Sequence, residues 1–195
     1  MLLLIVSVAC VQVDRDSRTR TLEDVLHDLR CSPPPSRVPS WPSELLAIGS
    51  PAVPALAGLL NDTDPVVRGR AADVLLLMGS TATPATAALV RALNDDNPNV
   101  RASAASALAH LGPDPSVVVP RLRALLGDPA AYVRTAAADA LGALGPGACA
   151  AVSDLALLRL DAAPHVRDAA ERALQRIGPV DCAVSEQLPA PSSSA

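Results

Sequence analysis

Apolar residues recur along this chain at helical spacing, and the whole pattern returns every 33 residues. Around Arg68, the positions one before and three, seven and ten after are Val67, Ala71, Leu75 and Met78. Around Arg101 they are Val100, Ala104, Leu108 and Leu111; around Arg134, Val133, Ala137, Leu141 and Leu144. Around Arg167 they are Val166, Ala170, Leu174 and Ile177. Each set is one face of a helix. A shorter apolar stripe precedes each: Leu56 and Leu59, Leu89 and Leu93, Leu122 and Leu125, Leu155 and Leu158.

Punctuation keeps the same period. Six residues before each Arg stands Asp62, Asp95, Asp128 or Asp161, and eleven after it Gly79, Gly112, Gly145 or Gly178. The pattern predicts a hairpin repeated four times: first helix, tight turn, longer second helix, Gly stop. In the third copy the helices are predicted near Ser116–Leu126 and Ala130–Leu144, joined by Gly127-Asp128-Pro129. Gly145 supplies a left-handed C-cap, and Pro146 prevents continuation. Pro54 and Pro120 share a repeat position and are predicted in the first turn of their helices, where a missing N–H is harmless. A helical hairpin cannot bury both its faces alone. Four in strict register must stack, so the fold class is all-α, a right-handed α-solenoid over residues 50–179.

The flanks are less regular. Leu22, Val25, Leu26 and Leu29 form a stripe behind the helix start Thr21-Leu22-Glu23-Asp24. Residues 20–49 read as a degenerate capping repeat, its second helix cut by Pro33, Pro34, Pro35, Pro39 and Pro42 to a turn or two near Ser43–Ile48. Residues 183–195, rich in Pro, Ser and Ala, are predicted to be disordered. Residues 1–13 are apolar but shorter than the ~20 residues that cross a bilayer as a helix. Ser7-Val8-Ala9 before Cys10 has the small residues of an export cleavage site, without a basic segment ahead of it. Export, anchoring through this segment and a cytoplasmic location all stay open.

Composition narrows the partners. Half the residues are apolar, mainly Ala, Leu and Val, with one Trp, one Tyr and no Phe. Small residues suit close helix packing, whereas ligand-stacking surfaces use aromatic rings. Net charge is −4, so no overall basic field attracts nucleic acid. The four cysteines, Cys10, Cys31, Cys149 and Cys182, form no CxxC pair. Cys149 and Cys182 stand at equivalent repeat positions. Helices stack about 8–10 Å apart while a disulfide needs Cα atoms within ~7 Å, so the cysteines are expected to be small buried apolar residues.

Ala107-Leu108 to Gly112 and Ala140-Leu141 to Gly145, joined to the Asp-x-x-x-x-Val-Arg pattern, resemble HEAT repeats, most closely the short HEAT-like repeats named after phycobilisome lyases. The resemblance covers roughly residues 49–179. It implies a ladder between neighbouring units, with Asp62, Asp95, Asp128 and Asp161 paired to Arg68, Arg101, Arg134 and Arg167. Physically, a half-buried guanidinium needs a planar acceptor, and a turn Asp also satisfies nearby N–H groups. The alternative for this ladder is a repeated anion site.

Candidate chemistry is thin. None of His27, His110 and His165 is followed by Glu, and no HExxH or GxSxG occurs. The metal-binding His-Glu pairs of deoxyhypusine hydroxylases, which share the repeat fold, are missing. His165 sits in a turn where a solvated or capping role is expected. No catalytic residue, cofactor or metal is therefore expected. The lyase resemblance implies a bilin pocket, for which Trp41, Tyr132 and Asp139 are the available material. DNA glycosylases of this fold need a basic groove. Here the position five after each Arg reads Asp73, Ser106, Asp139 and Arg172, and the position two after it Arg70, Ser103, Ala136 and Ala169. The leading expectation is a non-enzymatic scaffold that binds an unidentified protein through its second-helix face. Candidate contacts are Arg70, Asp73, Leu76, Leu77, His110 and Asp139. Leu76 and Leu77 are apolar outside the core stripe, so they either cover the leading unit or form a docking patch. The rival is a bilin lyase or lyase subunit.

Overall fold

A computed structural model describes residues 20–31 and 40–178. The segments 1–13 and 183–195 lie outside the described residues. Ten α-helices follow in order, with no strand among the described residues: α1 Leu22–Arg30, α2 Trp41–Ile48, α3 Val53–Leu59, α4 Pro65–Met78, α5 Thr86–Ala92, α6 Pro98–Leu111, α7 Pro115–Leu125, α8 Ala131–Ala143, α9 Val152–Leu158 and α10 Pro164–Ile177. They form five hairpins in an α-solenoid. α4, α6, α8 and α10 are the second helices of the regular units, and each packs on the next.

Local chemistry sets the boundaries. Pro65, Pro98, Pro115 and Pro164 open helices, where proline's fixed φ is an advantage. Asp64 and Asn97 cap α4 and α6 by accepting the N–H groups of Val66 (2.8 Å) and Asn99 (2.9 Å). Gly112 (φ 62°) and Gly145 (φ 57°) take the left-handed conformation that ends α6 and the α8 segment. In α1, Thr21 and Asp24 form a reciprocal capping box.

Two local predictions need correction. Pro120 lies inside α7, not in its first turn. Asp114 accepts the Ser116 N–H at 2.9 Å and starts α7 early, whereas in two other regular units the matching stretch is a 3-10 turn (Gly79–Ala85 and Gly145–Ala151). Pro42 does not break the second helix of the leading unit. It sits in the first turn of α2 and helps begin it.

One hydrophobic cluster runs unbroken from Val25 to Ile177. The first-helix leucines named above are all buried in it, as are the second-helix stripes except Leu144 and Leu174, which are partly covered. Full burial of each such leucine contributes roughly 1.5–3 kcal/mol. Alanine and glycine let the second helices approach closely. A Cβ on Gly142 would stand 2.8 Å from the Ala173 Cα.

The last described hairpin differs on its outer face. Four residues after the repeat Arg come Ala72, Ala105 and Ala138, each fully buried under the next unit. In α10 that position is Glu171, and it is exposed. Gln175 likewise replaces the Gly142 position, so the outer face of α10 is polar where the inner units are sealed by small residues.

The cysteines also depart from expectation. Cys31 and Cys149 are each disulfide-bonded, so neither is a buried free thiol. Both stand at element ends, Cys31 at the C-cap of α1 and Cys149 in the 3-10 turn before α9. The helix-to-helix spacing that disfavours bridges applies to helix interiors, not to such junctions. Cys10 and Cys182 lie outside the described residues.

Candidate functional site

The ladder is the most ordered polar feature. Arg68 donates from Nε and Nη2 to the two carboxylate oxygens of Asp95, at 2.6 and 2.7 Å. Arg101 does the same to Asp128, at 2.7 and 3.0 Å, and Arg134 to Asp161, at 2.8 Å on both. Every one of these pairs joins one repeat to the next. Within a repeat the contact is to the backbone: Nη1 of Arg68, Arg101, Arg134 and Arg167 donates to the carbonyls of Asp62, Asp95, Asp128 and Asp161 at 2.7–2.9 Å. The carboxylates of the four Asp residues accept the N–H groups of Asp64, Asn97, Ala130 and Ala163 at 2.8–3.0 Å. Each inner Asp thus holds its own turn and its neighbour's guanidinium together, a geometry that leaves little room for a free anion.

Side chains of these pairs are 5–16 % exposed. Burial pushes the Asp128 carboxyl up. The Arg101 hydrogen bonds, the Ala130 N–H and the charges of Arg101 and Arg134 outweigh it, so the group titrates below the ordinary carboxylate range. Asp95 follows the same balance with Arg68 and Asn97. Asp161 is lowered chiefly by its Arg134 hydrogen bond and then by the Ala163 N–H.

The leading unit joins this ladder by a different route. The register position 27 before Asp62 is Pro35, so no repeat Arg is available. Arg30, at the end of α1, reaches Asp62 instead with a single Nε contact of 3.2 Å. Arg20 closes the leading hairpin by donating to Glu44 at 2.9 Å and by pairing with Asp28. Neither arginine keeps repeat spacing, so periodicity gave no signal for them.

The candidate contact residues divide in two. Arg70 donates to the Leu29 carbonyl at 2.8 Å and Leu76 packs partly against the core, so both tie α4 to its surroundings. Asp139 pairs with Arg172 of the next unit at 3.0 Å. Asp73, Leu77 and His110 are exposed, Leu77 at 60 %. Leu77 and His110 occupy the same repeat position on the adjacent helices α4 and α6, with Asp73 one turn before Leu77. The ring nitrogen Nδ1 of His110 lies 2.9 Å from the Ser106 carbonyl. Leu157 and Leu160, 70 % and 84 % exposed at the end of α9, escape the repeat pattern because their counterparts in the second unit are Arg91 and Asn94.

A family model for HEAT repeats matches residues 43–109 and 86–175. The chain belongs to the HEAT-repeat family. Solved structures agree with this HEAT-repeat assignment in fold. An engineered protein from the Northeast Structural Genomics Consortium shares 25% identity with the chain at TM-score 0.62, covering 82% of it and 80% of the engineered chain. The complex of CpcE and CpcF of phycocyanin lyase from Nostoc sp. PCC7120 is similar at 22% identity and TM-score 0.68, over 78% of this HEAT-repeat chain and 96% of that one. A designed armadillo repeat protein in complex with the peptide (KR)4 is similar at 18% identity and TM-score 0.57, over 80% and 74% of the two chains. No curated protein matches.

Proposed function

We propose that this HEAT-repeat chain is a non-enzymatic scaffold that docks a protein partner on its second-helix face, around Asp73, Leu77 and His110. The observation that carries this reading is Leu77, 60 % exposed on α4 at the repeat position that the exposed His110 holds on α6. An exposed leucine flanked by an acid and a histidine, on a rigid stacked scaffold, is an anchor with a polar rim. The second helices pack on one another much more closely than the first helices do, which supports the reading that they line the inner side of the curve. Two similar structures are complexes, one of CpcE with CpcF and one with a peptide.

Export or an envelope location fits the chemistry of the described cysteines, since disulfides persist in oxidising compartments.

The rival reading, a bilin lyase or lyase subunit, draws on the likeness to the CpcE–CpcF complex. The residues it would use are dispersed: Trp41 is buried in α2, whereas Tyr132 and Asp139 lie on α8 and Asp139 is engaged by Arg172. Mixing the purified chain with a bilin separates the two readings. A shifted, stabilised absorption band supports the lyase; an unchanged spectrum supports the scaffold. The docking face is tested by Leu77→Asp. Loss of specific partners from affinity capture, with melting unchanged, is the expected result, and capture of the same proteins by both chains overturns it.

A further inference from the structure

Among the described residues the ladder has an open end. Arg68, Arg101 and Arg134 each present Nε and Nη2 as a fork, and each fork holds both oxygens of an Asp from the following repeat. Arg167 is anchored in the same way, its Nη1 donating to the carbonyls of Asp161 (2.9 Å) and Ala162 (3.2 Å). Its Nε and Nη2 meet no carboxylate among the described residues. The chain does not supply one in register: the position 33 after Asp161 is Ser194. Leu160, 84 % exposed, lies instead in the cleft between the third and fourth units, with Leu126, Gly127 and Leu157.

We propose that the α10 end of the solenoid is a second docking site, which takes an aspartate-bearing turn of a partner protein. The carboxylate would fill the Arg167 fork in the two-toothed geometry of the inner repeats. Charge complementarity selects the occupant. The inner copies of this fork show what it binds, and the carbonyl anchors hold the guanidinium in place before binding, so little side-chain freedom remains to be lost. Glu171, Asp168 and Gln175 make the rest of the α10 outer face polar, which disfavours simple apolar stacking of another hairpin there. The inference rests on the scaffold reading but not on the second-helix face. Failure at Arg167 leaves Leu77 untested, and failure at Leu77 leaves Arg167 standing.

The test uses the full chain with its disulfides intact and a synthetic peptide of the chain's own third turn, Leu-Gly-Asp-Pro-Ala-Ala-Tyr. Nitrogen-15 NMR follows the arginine Nε–H signals. A saturable shift of the Arg167 signal, with Arg101 unmoved, is expected. Binding should weaken about tenfold or more when the peptide Asp is Asn, or in the Arg167→Gln chain, since a charge-assisted pair is lost. No shift, or an equal shift with the Asn peptide, overturns the proposal. So does a shift that emerges only after Asp181→Asn and Glu186→Gln, because the fork would then be filled from within the chain.

Discussion

Arg101 and Asp128 belong to neighbouring repeats and meet through two parallel hydrogen bonds, Nε to Oδ2 at 2.7 Å and Nη2 to Oδ1 at 3.0 Å. The same guanidinium donates its remaining arm to the Asp95 carbonyl in its own turn, at 2.7 Å. One side chain therefore fixes both the turn of its own hairpin and the position of the next. That is why the Asp and Arg recur with the period of the fold.

Arg101→Ala should lower stability by about 2–4 kcal/mol, because it leaves the buried Asp128 carboxylate without its partner. Arg101→Lys should recover little of this, since an ammonium cannot span both oxygens and the carbonyl at once. Thermal melting checks both. Partner capture by the folded fraction should be unchanged in both variants.

Acid should weaken the stack in a defined window. Asp95, Asp128 and Asp161 titrate lower when folded than ordinary carboxylates do. Their contribution is complete above the unfolded carboxylate range, near pH 4, and is lost as pH falls through the lower folded values. Melting temperature should hold between about pH 7 and 5 and fall below about pH 4. In Arg101→Ala the principal cause lowering Asp128 is gone, so that fall should be shallower. An equally steep fall in both chains would count against the ladder as its source.

Gly142→Ala should destabilise the chain even though alanine favours a helix by about 1 kcal/mol over glycine. The added Cβ would lie 2.8 Å from the Ala173 Cα, and separating α8 from α10 costs about 1–3 kcal/mol. Ala109→Gly, at the same repeat position in α6, provides the opposite control. Denaturant midpoints with unchanged slopes would report both effects.

Reduction should matter. Cys31 and Cys149 are disulfide-bonded, and breaking a native bridge typically costs about 2–4 kcal/mol. Melting in the presence of a reductant should occur at a lower temperature, and mass spectrometry after alkylation should find no free thiol at either residue before reduction.

Much of this fold was legible because it repeats. The period placed the hairpins, the Val-Arg stripe placed the second-helix core, and the glycines placed the stops. Non-periodic features were not legible. Arg30 takes over for a register position held by Pro35, and Asp114 begins α7 early enough to draw Pro120 inside it. Equal spacing also could not say whether an Arg reaches its own Asp or the next one, since both choices have the same period; only the side-chain geometry distinguishes them. Cys31 and Cys149 stand at element ends, where helix spacing is no guide. On the proposed docking face, Leu77 and His110 carry a repeat position whose residue type changes from unit to unit, so the repeat pattern does not name what would bind there.

The most direct test of the stacked ladder is a pair of double-mutant cycles read by denaturant unfolding. One joins Arg101→Ala to Asp128→Asn across the repeat boundary, and the other joins Arg101→Ala to Asp95→Asn within a repeat. The cross-repeat pair should couple by about 1–3 kcal/mol and the within-repeat pair by less than about 0.5 kcal/mol, since Asp95 meets Arg101 through its backbone carbonyl. Strong coupling within the repeat, with none across the boundary, would contradict the account.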